Sequence, residues 1–458
     1  MIKKFLVIIP CLFLFTVSLV AQSFQQYQES IKKELDQENY YAALLLIKKA
    51  LEYEIETDTL RYMAAKSAQN LNAYEQAELY YKLLLGTEFE NNHPDINFEI
   101  AEILYSSGKY SDAINYYTKY VQFGTDEKLV GLSNLRIEHA KWAKVNYKTK
   151  DPLIKTKRLE GTINTEANEF SPVIRNSHIY LTAARWTEKT KRVFPKKTVG
   201  RILKFDAISF EPIDTTEFSG MEDKNIAHPS FSADGMRMYF SICNYKEGTT
   251  QLFCNIYYKK KLANSWSKEI KLPSEVNAPN SSSTQGFVSK DEETGFDRLY
   301  FVSNREGTKG ETDIWTVLID EAGQCTGAEN IDAVNTAENE YAPFYNTKSK
   351  TLYFSSNGHP GLGGQDVFKY VYSGKDSLKV INLGASVNTS YDDLYFVNND
   401  SERVSYLASN RPSSQYIDEN LKACCFDIYK VSFNPVILDL VVNTLDSYDS
   451  TELMGTTL

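Results

Sequence analysis

Tyr300-Phe-Val-Ser-Asn-Arg305 and Tyr353-Phe-Ser-Ser-Asn-Gly358 decide the reading of this chain, because three further copies surround them. Tyr180-Leu-Thr-Ala-Ala-Arg185, Tyr239-Phe-Ser-Ile-Cys-Asn244 and Tyr406-Leu-Ala-Ser-Asn-Arg411 complete a series at intervals of 59, 61, 53 and 53 residues. Each copy is an apolar pair, then small residues, then a polar turn: the composition of a buried strand ending in a hairpin. A Pro-containing segment precedes most copies, as in Ser171-Pro172, His228-Pro-Ser-Phe231 and Ala342-Pro343-Phe344. A third apolar segment follows most: Asn255-Ile-Tyr257, Asp313-Ile-Trp315, Asp366-Val-Phe368 and Asp427-Ile-Tyr429. The links recur too, in Ile163-Asn-Thr165, Val334-Asn-Thr336 and Val387-Asn-Thr389. Three or four antiparallel strands per unit cannot bury both sheet faces alone, and radial stacking solves this. The pattern predicts a five-bladed antiparallel β-propeller over 149–433, with a sixth blade if the flanks add strands. First and last strands often share a blade, and Leu153–Leu159 is placed to do so.

Residues 22–148 read differently. Between Phe24 and Tyr147 the only proline is Pro94, and the apolar spacing is helical. Tyr40-x-x-Ala43, Tyr74-x-x-Ala77 and Tyr110-x-x-Ala113 recur at 34 and 36 residues, with Tyr81 and Tyr117 seven positions after the second and third. That is the helix–turn–helix spacing of tetratricopeptide repeats, so an α-helical solenoid is expected ahead of the propeller, in an α + β multidomain chain. Ala65 and Ala101, on the preceding helices, join the motif alanines in letting paired helices approach closely. The family's groove-facing positions fall on Gln28, Lys32, Tyr62, Lys66, Gln69, Phe98, Glu102 and Tyr105, a surface for a protein segment or a merely solvated face. A last helix, about Glu127 to Val145, carries Arg136, Glu138 and Lys141 and suits a solvating cap or a partial fourth unit.

Met1-Ile-Lys-Lys4, the apolar run Phe5 to Ala21 and polar Gln22-Ser23 read as a signal peptide over 1–21. Ile9-Pro10-Cys11 lacks the small residue expected before a lipidated cysteine. No later run reaches 18 apolar residues, so no membrane span is expected after cleavage. The formal charge of −10 lacks the positive footprint that nucleic acid requires. Five well-separated histidines argue against a His-rich metal centre, and no cofactor is expected. Cys243 and Cys254 face each other if their hairpin is symmetric, as a cross-strand disulfide or as two buried thiols. Cys424 and Cys425 read as packing residues.

Ser356-Asn-Gly-His-Pro-Gly-Leu-Gly-Gly-Gln-Asp-Val-Phe368 resembles the blade motif of TolB-like, WD-repeat-like propellers, and Ser230-Phe-Ser-Ala-Asp-Gly235 with Tyr239-Phe240 resembles its first half. With the repeats and signal ahead of it, the chain is similar to Bacteroidota envelope proteins of the OmpA-family, type IX secretion-associated kind, here lacking the C-terminal OmpA-like domain. The resemblance implies a periplasmic, outer-membrane-associated location and envelope proteins as partners. Residues 434–458, with Val436-Ile-Leu-Asp-Leu-Val-Val442, read as the opening of a truncated regulatory-like β domain or tail, so peptidoglycan binding is not carried over.

Catalytic signatures are missing: no Gly-x-Ser-x-Gly, no His-Glu-x-x-His and no Gly-x-x-x-x-Gly-Lys-Ser/Thr occurs. Arg305 with Asp313 and Arg411 with Asp427 are expected to tie hairpin loops by charge-assisted bonds, with Asp366 in the equivalent place. Asp291-Glu-Glu293 reads as a solvated hairpin tip rather than a calcium loop. The expectation is therefore a non-enzymatic scaffold in secretion, gliding or envelope organisation, with a glycan-binding sensor as the alternative.

Overall fold

A computed structural model describes residues 24–187, 198–247, 249, 251–372, 379–399, 403–415, 418, 420–422, 425–434 and 448–449. The expected signal segment 1–21, Cys424 and nearly all of 434–458 lie outside the described residues.

Five four-stranded antiparallel sheets form five blades. β1 (Ile154–Arg158) belongs to the last of them. Blade one holds β2 (Glu169–Arg175), β3 (His178–Thr187), β4 (Thr198–Asp206) and β5 (Pro212–Ile213). Blade two holds β6 (Asn225–Phe231), β7 (Arg237–Tyr245), β8 (Leu252–Lys260) and β9 (Ile270–Lys271). Blade three holds β10 (Ser283–Lys290), β11 (Asp297–Ser303), β12 (Asp313–Ile319) and β13 (Glu329–Asn330). Blade four holds β14 (Glu340–Asn346), β15 (Thr351–Ser356), β16 (Asp366–Val371) and β17 (Val380–Asn382). Blade five holds β18 (Asp393–Asn399), β19 (Val404–Ser409) and β20 (Asp427–Phe433), and β1 pairs with β20 from Ile154↔Phe433 to Arg158↔Tyr429. The ring thus closes on five blades, with the propeller's first strand, β1, serving as the outer strand of its last blade.

The repeated Tyr-Phe/Leu motif is the second strand of each blade. Tyr239, Phe240, Phe301, Phe354 and Leu407 are essentially inaccessible because neighbouring blades cover both faces. The Pro-containing segments are the innermost strands, and each breaks register at the same place. Ser171, His228, Gln285, Ala342 and Tyr395 all have φ between 52° and 58°, at the bulge in their strand. A bulge leaves one residue outside the ladder, so a following proline costs no sheet hydrogen bond.

The recurring Asn in the links is a clamp. Asn164, Asn277, Asn335 and Asn388 each accept from the backbone N–H of Ile428, Ile256, Ile314 and Val367 and donate back to the same residue's carbonyl, at 2.7–3.1 Å. Each stitches the link to the third strand of the blade just completed. The next Thr and a carboxylate repeat as well: Thr165, Thr336 and Thr389 cap Glu169, Glu340 and Asp393 through N–H and hydroxyl.

The N-terminal region is helical: α1 (24–36), α2 (Tyr40–Ala50), α3 (Thr57–Asn70), α4 (Tyr74–Lys82), α5 (Glu88–Asn92), α6 (Asp95–Ser106), α7 (Tyr110–Phe123) and α8 (Glu127–Asn146). Tyr40, Tyr74 and Tyr110 open α2, α4 and α7, and Ala43, Ala77 and Ala113 are fully buried one turn later. No described helix is long and apolar enough to cross a membrane.

The helices dock on one propeller face, that of the loops joining second to third strands. Tyr105 and Tyr110 donate to the Gly361 and Leu362 carbonyls at 2.7 and 2.6 Å. Tyr41 donates to Asp418, Gln251 to Glu38, and Lys422 pairs with Glu75, so the contacts reach blades two, four and five. The opposite face, with the turns joining first to second strands, makes none of these contacts.

Candidate active site

The expected hairpin ties are rearranged. Arg305 does not reach Asp313. Its guanidinium lies against Phe301 and Trp315, 4.8 and 5.1 Å from their centroids, and donates to the Glu275 and Val276 carbonyls and to Ser283 and Ser303. Burial brings its pKa down to about 10. Arg411 pairs with Asp393, not Asp427, and also donates to the Val387 carbonyl at 2.8 Å. Asp427 pairs instead with Arg158 of β1. Asp313 accepts from Lys309 N, Gly310 N and Asn330, and Asp366 from Leu362 N and Asn382. The arginines turn back toward the link that enters their own blade, where carbonyls converge, while the third-strand aspartates take other partners, and Asp366 and Asp427 each keep one buried carboxylate oxygen without any. Burial pushes the Asp366 carboxyl up to about 8, and these groups hold structure together.

The eight groove positions are mostly committed within the protein. Gln28 donates to Glu56, Tyr62 to Asp95 and Gln69 to Glu99, and Lys66 pairs with Glu99. Lys32 is exposed, and Phe98 packs against Tyr117 and Tyr120. Glu102 accepts from Tyr117 and Arg136, and Tyr105 is buried against the propeller, so this end of the surface holds the chain's own blade-four loop. Arg136 is no solvating residue: it is 4% exposed and donates to the Asn357 carbonyl at 2.6 Å and to Glu338 at 3.3 Å.

His139, one turn along α8, is buried, and its Nδ1 has no partner. Burial first, then Arg136 and His359, lower its pKa to about 3. The unfolded imidazole titrates near 6.5, so the stability held by the neutral form is complete above that pH and drains as pH falls toward 3. The unfolding free energy of the wild type minus that of His139→Gln should fall by up to about 1.4 kcal/mol per pH unit below 6.5; a difference flat with pH rejects this.

The propeller axis is plugged. His228 reaches Tyr395 Oη at 3.2 Å through Nε2 and Thr284 and Ser241 at 3.1 and 3.3 Å through Nδ1. Phe170 packs on both rings, and the remaining axial void is about 20 Å³, room for about one water.

Space opens on the helix-free face. A mouth of about 250 Å³ exposes parts of Phe231, Phe287 and Phe344. It adjoins, at Ala233, a cleft of about 620 Å³ between blades two and three. Two aspartates line that cleft in different environments. Asp297 opens β11, is 5% exposed, and takes bonds from Tyr239 at 2.6 Å and Arg237 at 2.9 Å, yet burial raises its pKa. Asp234 sits in the exposed turn before β7; its small burial is outweighed by bonds from the Ser232 hydroxyl and Met236 N–H, so its pKa is lowered. Arg237, Lys260, Lys261 and Lys290 surround them. In the sequence Ser230 to Gly235 reads as a blade repeat alone, and Asp297 belongs to no motif. Its signal was a carboxylate at the start of a buried strand.

Cys243 and Cys254 are directly cross-strand and disulfide-bonded, at a Cα separation of 4.0 Å. Cys325 is a free, half-buried thiol whose pKa burial raises to about 12. Among the described residues no group of three His, Cys, Asp or Glu could hold a metal ion.

No family model matches the chain, and no curated protein matches it. Solved structures do. A thermostable family-43 glycoside hydrolase is 12% identical over 64% of this chain and 94% of its own, with a TM-score of 0.38. A second glycoside hydrolase is 10% identical over 66% and 97%, at 0.40. An α-L-arabinofuranosidase from Podospora anserina, in complex with cellotriose, is 9% identical over 62% and 95%, at 0.36. The expectation of a non-enzymatic scaffold, with a glycan sensor as its alternative, and of kinship with OmpA-family scaffold proteins is corrected here: glycoside hydrolases recur among the matching structures, beside a luciferin-regenerating enzyme. A repeat propeller is no ground for excluding catalysis, since fold and chemistry separate. At these scores the likeness concerns the propeller alone and carries no argument about what this chain acts on.

Proposed function

We propose that the chain is a hydrolase that cleaves glycosidic bonds in the cleft between blades two and three. The carrying observation is the aspartate pair whose environments push their pKa values apart. Such a pair suits acetal hydrolysis, which asks for a proton donor at the leaving oxygen and a carboxylate that activates water. Asp297 is the acid, holding its proton to higher pH, and Asp234 is the base. Acetal cleavage needs neither a metal nor a Ser–His nucleophile. The adjoining Phe231, Phe287 and Phe344 line an apolar mouth suited to the non-polar side of a sugar. Arg237 is held by Asp297, but Lys260, Lys261 and Lys290 line the same cleft beside Glu321, and on a chain of charge −10 this lysine cluster favours an acidic sugar unit.

The test is release of reducing ends from polygalacturonate, with neutral xylan beside it. Wild type should act on the polyuronate, and Asp297→Asn and Asp234→Asn should each lower kcat by about 10²- to 10⁴-fold. No release from either polymer, or variants as active as wild type, would end this reading.

We also infer that the helix pairs are tetratricopeptide units; the supporting feature is the Tyr-x-x-Ala motif opening α2, α4 and α7. The basic and apolar N-terminal segment supports export to the periplasm, with amino-terminal sequencing of the native protein as the check: a start at Gln22 is expected, and a start at Met1 would refute it.

A further inference from the structure

We propose a second ligand site on the helix-free face, between blades three and four, that takes an aliphatic polyamine. A cleft of about 540 Å³ opens there beside the Asp291-Glu-Glu293 turn. One wall is tyrosine: Tyr300 and Tyr345 stack at 5.3 Å between centroids, and Tyr372 meets Tyr345 edge-on at 5.8 Å. Tyrosine faces attract cations, and they also pack against methylene chains.

The charges around that wall leave a surplus of one sign. Asp291 is taken by Arg298, through two donors at 2.9 and 2.6 Å, and Glu292 by Lys350 at 2.9 Å. Asp332 is taken by Lys309, and Glu293 and Glu329 also line the cleft without an ion pair among the described residues, against one unpaired cation there, Lys290. An acidic rim is common on a solvated turn. Two neighbouring groups separate this one from a mere solvated turn. Ser289 and Thr316 line the same cleft, are only 6% and 8% exposed, and hold buried hydroxyls that have no hydrogen-bond partner. A buried hydroxyl without a partner is destabilising, and a donor entering the cleft relieves that cost. The complement is therefore a chain of ammonium donors joined by methylenes: N–H for Ser289 and Thr316, charge for Glu293 and Glu329, CH₂ for the tyrosines. Paired Arg298 and Lys350 disfavour an anion, and a neutral ligand leaves the two free carboxylates unanswered.

The probe is spermidine, titrated calorimetrically into the full-length protein at low and physiological salt. Wild type should bind one equivalent, with putrescine weaker. Tyr345→Ala and Glu329→Gln should each raise Kd at least about tenfold, the scale of a lost cation–π or charge contact. Thr316→Val supplies a readout that a purely structural role would not give: without ligand its thermal midpoint should equal or exceed the wild type, while its spermidine-induced shift shrinks. Asp297→Asn should bind spermidine as wild type does, since that aspartate lies in the neighbouring cleft; this keeps the site independent of the hydrolase reading. Absence of saturable binding, binding unaltered by Tyr345→Ala and Glu329→Gln, or cellobiose binding in place of spermidine would each overturn the proposal.

Discussion

Replacing Arg411 with leucine lowers the unfolding free energy of the propeller by about 3–5 kcal/mol, because it strips the partner from a fully buried carboxylate. Asp393 has no solvent exposure, and the Arg411 guanidinium is the cation that answers it. The same side chain holds the Val387 carbonyl at 2.8 Å and the Ser409 hydroxyl at 2.9 Å, and lies 4.7 Å over the Tyr429 ring. The Thr389 N–H and hydroxyl remain on Asp393 but carry no charge to balance it. Chemical denaturation with tryptophan and tyrosine emission measures the loss. The double variant Arg411→Leu with Asp393→Asn should recover part of it, since removing both charges removes the uncompensated one. A loss under about 1 kcal/mol in the single variant would show that the pair is dispensable.

Gly363→Ala should separate the helices from the propeller. A Cβ at this position would lie 2.3 Å from the Ser390 carbonyl carbon and oxygen, both backbone atoms that no rotamer can move aside. The loop must lift, and it carries Gly361 and Leu362, whose carbonyls receive Tyr105 and Tyr110. Overpacking of this kind costs about 1–3 kcal/mol, and two buried tyrosine hydroxyls lose acceptors besides. Faster proteolysis between residues 147 and 153, with a larger radius in small-angle scattering, is the expected signature. A variant as compact and as protease-resistant as wild type would show that the loop tolerates the shift.

The propeller was legible because its periodicity is carried by residues whose environment recurs five times. The Tyr-Phe strand is buried on both faces in every blade, so selection for size and apolarity repeats with it. The Pro-containing strands were legible for a different reason: the bulge at Ser171, His228 and Ala342 frees the following N–H from the ladder, and proline marks that freedom. Pairings were not legible. Arg411 has Asp393 and Asp427 at comparable distances along the chain, 18 and 16 residues, and only the turn of the arginine toward its own entry link decides between them. Tyr105 is a similar case, since helical periodicity tells which face a residue occupies but not that the Gly361 carbonyl, 256 residues along the chain, takes its hydroxyl. Asp234 and Asp297 escaped notice because they are 63 positions apart in sequence and meet only across a blade boundary.

The partnership of β1 with β20 fixes an order of events during synthesis. The ribosome delivers Ile154–Arg158 long before Asp427–Phe433, so the last blade waits for the end of the ring while the other four already have every strand they need. Ring closure is a contact spanning some 270 residues, the kind that folds late. Until it forms, β20 of one molecule is an unpaired edge that a neighbour's β1 can fill as readily as its own. A propeller fragment that begins after Arg158 lacks β1 altogether, so its β20 stays bare and no neighbour can supply the missing strand; it should unfold at a lower temperature than a fragment that begins at Asp151.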